Sequence, residues 1–210
     1  LAHMHKEFTF EHCSTVSEMN PEIAPPLRLT DCSLVTDGAA ALILTTDENA
    51  ASFPKSVAMR AAEHVNDFLP MSRRDFLAFE GPERAFAQAF KAANVTLEDI
   101  DFAEVHDCFT IAELLTYEAM GLAPKGHGER ALEDGTVYRG GALPVNLSGG
   151  LKAKGHPVGA TGVSMHALAF RQLTNQARDL QVPGAELGLL FNMGGSAVAN
   201  YVSVLEARKV

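Results

Sequence analysis

Five glycines surround a single Gly155-His156-Pro157 step in the stretch Asn146–Ser164, NLSGGLKAKGHPVGATGVS. Glycines let backbone N–H groups come close to a ligand. Where the stretch runs into the helix-spaced apolar segment Met165–Leu173, it adds the positive end of a helix dipole. Both features suit a developing negative charge, and His156 in the same turn can transfer a proton. The glycines at 155, 159 and 162 fit neither the G-x-G-x-x-G nor the P-loop phosphate pattern. Two more turns carry reactive types: His106-Asp107-Cys108-Phe109, and Asn192-Met193-Gly194-Gly195-Ser196. If the three converge, they supply what acyl transfer or carbon–carbon bond formation needs. His156 would be the base, Cys108 the second proton shuttle and the Gly194 amide an oxyanion donor. Cys108 just before a helix start would also gain thiolate character. The plainer readings are a glycine turn with a surface histidine, a packing cysteine at 108, and a His106 bonded to a backbone carbonyl. His3, His5, His12, His64, His127 and His166 have no such setting and read as structural or solvated.

The elements that must hold these turns follow from the pattern. Asp101–Val105 reads as a strand ending at His106. Thr110-Ile111-Ala112-Glu113 has the form of a capping box, with Ile111, Leu114, Leu115 and Ala119 on one face of a helix that stops at Gly121. His106 and Cys108 therefore sit at a strand-to-helix junction, where parallel α/β sheets present functional groups. Leu187–Phe191 and Val198–Leu205 read as strands flanking the 192–196 turn. Earlier in the chain, Cys32–Thr46 pairs an Asp37-Gly38 turn with an apolar run, Ala39–Leu44, expected as a buried strand. Ser56–His64 is a second strand, and Gly81-Pro82-Glu83 opens a helix through Phe86, Ala89, Phe90 and Ala93. Thr96–Asp99 is a short turn, Pro21–Leu29 an extended link, and residues 122–145 a lid or surface loop. The alternation of strand and helix predicts α/β layers.

Composition narrows the class. The 210 residues, 47% of them hydrophobic, are enough for one domain or one and a half with a sizeable core. A net charge of −9 argues against a nucleic-acid binder, and the apolar runs are too short to span a membrane. Cys13, Cys32 and Cys108 show no C-x-x-C spacing and cannot all pair, which points to a reduced, cytoplasmic protein with no metal site. The opening, Leu1–Asn20, passes from LAHMHK to EFTFEH without a turn signal and reads as an incomplete beginning.

Four ordered motifs, CSLVTDGAAALIL, VHDCFTIAELLTYEAMGL, NLSGGLKAKGHPVGATG and FNMGGSAVANYVSVLE, resemble the C-terminal half of a thiolase, in the sterol-carrier-protein-type branch marked by H-D-C-F. The resemblance runs from about Pro26 to Glu206. It implies a layered α/β fold with a mixed sheet and helices on both faces, αβαβα in the complete protein. Residues 26–210 would be the C-terminal domain, and residues 1–25 a lead-in joined across a missing segment between His5 and Lys6. By the same resemblance, His156 activates a nucleophilic cysteine and helps bind the thioester oxygen. His106 holds a water that completes that hole, Cys108 is the second acid/base, and Gly194 gives a further oxyanion donor. Asn192 replaces the cysteine of the usual C-x-G motif, which leaves the second proton to Cys108.

The nucleophilic cysteine of thiolases lies in an N-terminal half that has no counterpart here, so the chain alone is expected not to turn over. The expected reaction is thiolytic cleavage of a 3-oxoacyl-CoA or the reverse Claisen condensation, with coenzyme A as cosubstrate and no bound cofactor. Expected partners are an acyl-CoA, the missing half or a partner chain, and further copies in a homodimer or dimer of dimers. A thiolase-like aldolase cleaving a 3-hydroxyacyl-CoA with a partner subunit, or a non-catalytic assembly subunit, are the competing readings.

Overall fold

The computed structural model describes residues 6–208. In chain order these form α1 (Phe10–Ser14), the hairpin strands β1 (Glu22–Ala24) and β2 (Leu27–Arg28), α2 (Asp47–Ala50), β3 (Val57–Asn66), α3 (Glu80–Ala93) and β4 (Phe102–Val105). Then follow α4 (Thr110–Ala119), α5 (Arg130–Glu133), α6 (Gly150–Lys154), α7 (Thr161–Leu173), β5 (Leu187–Gly194) and β6 (Ala199–Ala207). The main sheet has the order β3-β6-β5-β4. It is mixed, since β4 and β5 run parallel while β5–β6 and β6–β3 are antiparallel. The free edge of β4 gains an isolated parallel bridge between Ala103 and Val145.

Strand side chains alternate between two faces. Ala103, Val105, Leu189, Phe191, Val202 and Val204 point into a core shared with α3 and α4, through Ala85, Phe86, Ala89, Ala112 and Tyr117. Phe102, Leu190 and Leu205 point to the opposite face, where Met165, Ala169 and Leu173 of α7 cover them. Each large apolar side chain buried this way contributes about 1.5–3 kcal/mol. The α3–α4 layer therefore carries most of the stabilisation, and α7 is held by a smaller cluster.

Five expectations need correction. Ala39–Leu44 is no buried strand: it has no regular structure, and Ile43 and Leu44 are 82% and 80% exposed. An apolar run becomes a strand only where another strand pairs with it, and among the described residues none does. Residues 122–145 are not a lid, because Ala131, Val137, Leu143 and Val145 insert into the main core. The capping box does not form. Phe109 is the N-cap, Thr110 donates its hydroxyl to Asp31 Oδ1 at 3.2 Å, and Glu113 accepts from the Tyr117 hydroxyl at 2.6 Å. The buried face of α4 runs through Ala112, Thr116 and Ala119, whereas Ile111 is exposed. Pro21–Leu29 closes into the β1–β2 hairpin, not a plain link. Of the expected junction between His5 and Lys6, the first residue lies outside the described part of the chain. His3 also lies outside it.

Candidate active site

β4 ends at Val105, so the next residue leaves the sheet at its C-terminal edge with its side chain still directed by the strand. His106 is buried there, and its Nδ1 lies 2.7 Å from Oδ1 of Asn192 on β5. An amide oxygen only accepts, so Nδ1 carries the proton and Nε2 is left with a lone pair. The ring of His156 meets that of His106 edge-on, with centroids 5.0 Å apart and planes at 84°. His156 Nδ1 lies 2.7 Å from Thr161 Oγ1, and that hydroxyl spends its own hydrogen on the Pro157 carbonyl at 3.1 Å. The threonine oxygen must therefore accept from Nδ1–H, and Nε2 of His156 is likewise open. Thr161 is also the first residue of α7, so the dipole end expected from the sequence lies beside the histidine.

Both imidazoles are held neutral. Burial pulls His106 down to about 4, with the charges of His156 and Lys154 acting in the same sense and the Asn192 bond opposing them. Burial, then the Lys154 charge, also lowers His156. Asp107, whose Oδ1 accepts the Leu151 N–H at 2.9 Å, is pushed up to about 6, chiefly by burial.

Cys108 follows two residues after His106, partly buried and free. Its thiolate character is not realised. Burial, reinforced by the Asp107 charge, raises the thiol to about 11, and the backbone donors at 108 and 109 do not compensate. Cys108 is a neutral thiol at ordinary pH. Gly194 ends β5 on the exposed rim, two residues from Asn192, with nothing within 4 Å of where a Cβ would stand. The structure thus brings His106 into contact with both His156 and Asn192, with Cys108 two residues beyond His106 in the turn after β4 and Gly194 two residues beyond Asn192 at the end of β5.

The segment Cys32–Thr36, which precedes the Asp37-Gly38 turn, stitches two of these turns together. Cys32 bridges Phe109, the Ser33 N–H donates to the Cys108 carbonyl at 2.8 Å, and the His156 N–H donates to the Leu34 carbonyl at 3.1 Å. Lys152 fastens the segment from the other side, donating to the Leu29 and Cys32 carbonyls at 2.8 and 2.7 Å. Sequence reasoning passed over Lys152, Lys154, Glu104, Ser148 and Thr161. Of these only Glu104 had a local signal, since it precedes His106 by two residues on an extended strand and so shares its side, whereas Lys154 ends the helix α6 and nothing near it in sequence points to the site.

His64 stacks on Tyr201 at the sheet edge and His166 is bonded to Gly162 O and Ser203 Oγ, as structural histidines are; His127 lies by Glu129 on the surface. Among the described residues, no helix is long and apolar enough to cross a membrane.

A family model described as thiolase C-terminal domain-like matches residues 62–207. The acetyl-CoA acetyltransferase of Methanothermobacter thermautotrophicus is 44% identical over 176 residues, 83% of this chain and 46% of that protein. Sterol carrier protein 2 of Homo sapiens is 36% identical over 203 residues, 92% of this chain and 37% of that protein. The chain thus spans less than half the length of these two curated relatives. Among solved structures, the Ltp2-ChsH2(DUF35) aldolase aligns with a TM-score of 0.79 at 20% identity, covering 97% of this chain and 52% of that one. The residues matched by the family model include all three turns of the site, and the chain belongs to the thiolase C-terminal domain-like family.

Proposed function

We propose that this chain supplies the proton-handling half of an acyl-CoA acyltransferase active centre, with the nucleophilic cysteine supplied by an N-terminal half or partner chain. In this reading residues 26–210 are the catalytic C-terminal domain and 1–25 lead into it. The observation that carries the proposal is the His106–His156 pair, with both Nδ1 atoms tied and both Nε2 atoms open.

Neutral His156 takes the thiol proton at Nε2, and the thiolate attacks the 3-oxo carbonyl of a 3-oxoacyl-CoA. His156, now N–H, donates to the thioester oxygen, on which negative charge gathers as the carbon–carbon bond breaks. His106 stays neutral to about pH 4, so its Nε2 accepts from a water whose other hydrogen points at the same oxygen. When the carbon–carbon bond breaks, the electron pair leaves on the acetyl-CoA fragment, and the neutral Cys108 thiol protonates it. Coenzyme A then gives its thiol proton to Cys108 and attacks the acyl-enzyme carbonyl; the bond to the nucleophilic cysteine breaks, and the departing thiolate takes back the proton held by His156. The reverse sequence is the Claisen condensation. Gly194 offers a backbone donor to the second oxyanion, and Asn192 holds His106 in the required tautomer.

The test is made in the complete protein or complex that carries this chain, supplied with a 3-oxoacyl-CoA and coenzyme A. Mass spectrometry should find an acyl-enzyme, and His156→Ala should lower its rate of formation by about 10²–10⁴-fold. An unchanged rate overturns the proposal. The fold's close alignment with an aldolase supports a second reading, retro-aldol cleavage of a 3-hydroxyacyl-CoA. That reading expects cleavage with no acyl-enzyme.

A further inference from the structure

Glu104 and Lys154 form an ion pair at 3.2 Å whose side chains are only 6% and 10% exposed. Ser148 completes a closed triangle. Its hydroxyl donates to Glu104 Oε2 at 2.6 Å, its N–H to Oε1 at 3.2 Å, and Lys154 Nζ lies 3.2 Å from Ser148 Oγ. A lysine this deeply enclosed is uncommon, because a buried charge is tolerated only when it is paired and hydrogen-bonded. Its placement gives the pair a use. Glu104 precedes His106 by two residues on one side of β4, and Lys154 precedes His156 by two residues where α6 gives way to the loop. The ion pair and the imidazole pair are therefore two successive rungs between the same two pieces of chain.

We infer that Lys154 and Glu104 are positioning residues for the proposed reaction: their ion pair fixes the register of the His156 loop against β4 and presents one positive charge to both imidazoles. The inference rests on the reading of His156 as the proton-moving group. A neutral base is what the first step requires, and the Lys154 charge acts on both rings in that direction. The titratable or charged groups on the surrounding elements include Glu104, Asp107 and Cys108 on and just after β4, Glu113 on α4, Cys32 and Asp37 on the segment that crosses both turns, Lys152 on α6, and His166 and Arg171 on α7. β5 contributes the neutral Asn192 and the start of α7 the neutral Thr161.

The experiment titrates the imidazoles of the complete assembly, labelled with 15N in the histidine rings, by long-range 1H–15N spectroscopy. This reads tautomer and protonation midpoint whether or not turnover occurs, so failure of the inference is distinguishable from failure of the proposed reaction. The unsubstituted protein should show both rings with the proton on Nδ1. Lys154→Met should raise the midpoints of both rings, and where turnover is measurable it should cost more rate at pH 6 than at pH 8. Lys154→Arg should keep the original midpoints. Glu104→Gln leaves the cation and removes only its counter-charge, so the midpoints should hold or fall. If the cluster merely braces the fold, both Lys154→Met and Glu104→Gln loosen the site and both raise the midpoints, which overturns the inference. Unchanged midpoints in Lys154→Met also overturn it. Should Lys154→Met fail to fold, the sign of the Glu104→Gln shift decides alone.

Discussion

Two neighbouring residues at the end of β4 respond to acid in opposite senses. Unfolded, His106 would titrate near 6.5, but folded it refuses the proton until about pH 4. The unfolded chain binds the extra proton across that window, so this contribution to stability is lost as the pH falls through it. Asp107 is held near 6 against an ordinary 3.8, so the folded chain takes its proton first, and acidification from 6 to 3.8 favours the fold. The two slopes largely cancel, each at about 1.4 kcal/mol per pH unit. Asp107→Asn keeps an oxygen for the Leu151 N–H but removes the titration. Its stability at pH 7 should be equal or higher, and its loss between pH 6 and 4 steeper than in the unsubstituted protein. Urea unfolding at pH 7, 6, 5 and 4 checks this, and parallel profiles refute it. Cys108 carries its own prediction at this scale. If its neutral thiol is the second acid, Cys108→Ala should leave acyl-enzyme formation from a simple acyl-CoA intact while slowing the carbon–carbon step by about 10²–10⁴-fold. Rapid quenching alongside steady-state turnover separates the steps. A lower stability with normal turnover per folded molecule would make Cys108 a packing residue.

At the level of elements, the His156 loop is aimed by what crowds it. Gly155 has φ +92°, and a Cβ there would stand 2.5 Å from Thr36 Oγ1. Gly38 packs as closely on the other flank, where a Cβ would lie 2.8 Å from Pro157 Cγ. Gly155→Ala should therefore cost about 1–3 kcal/mol in strain and displace His156. Gly159→Ala, four residues on, has open space and an ordinary backbone, and should stay within about 0.5 kcal/mol of the parent. Thermal or urea unfolding of the pair tests the contrast. The elements around this loop were legible where local signals agree: the strand ending at His106, the helix after Gly81, and the strands flanking 192–196 all lie within a few residues of where the pattern puts them. Pro82 falls inside the first turn of α3 and not at its first position, a small shift that its missing N–H tolerates equally well. The misses have non-local causes. Thr110 could not be seen to prefer Asp31, seventy-nine residues away, over its own helix. Val137, Leu143 and Val145 looked like loop residues because only the tertiary fold gives them a core to enter. The histidine turns could be read as chemistry, but the triangle of Glu104, Ser148 and Lys154 could not, since charged residues in a sequence read as surface until the fold buries them.

For the whole molecule the informative region is the one its own chain leaves bare. Val35, Ile43 and Leu44 are 82%, 82% and 80% exposed, and Leu34, Leu42 and Phe53 lie exposed around them. With His166, Phe170 and Met59, the 41–45 stretch walls a groove of about 810 Å³ along α7. Scattered apolar residues are ordinary on a protein surface, but the consecutive exposed run Leu42–Leu44 beside a groove marks a place where something else packs. The proposed function needs an N-terminal half or partner chain to bring the nucleophilic cysteine, and under that reading this strip is where it would pack. Ile43→Asp with Leu44→Asp discriminates between a strip that this fold needs and one that an assembly needs. Both side chains are largely in solvent here, so the double variant should unfold within about 0.5 kcal/mol of the parent. In the assembly it should weaken association, read as a shift to smaller species in light scattering at micromolar concentration. It should also reduce acyl transfer, because the thiol that His156 is proposed to activate arrives with the covering half. If the double variant associates and turns over normally, the strip is ordinary surface and the nucleophile must reach His156 from another side.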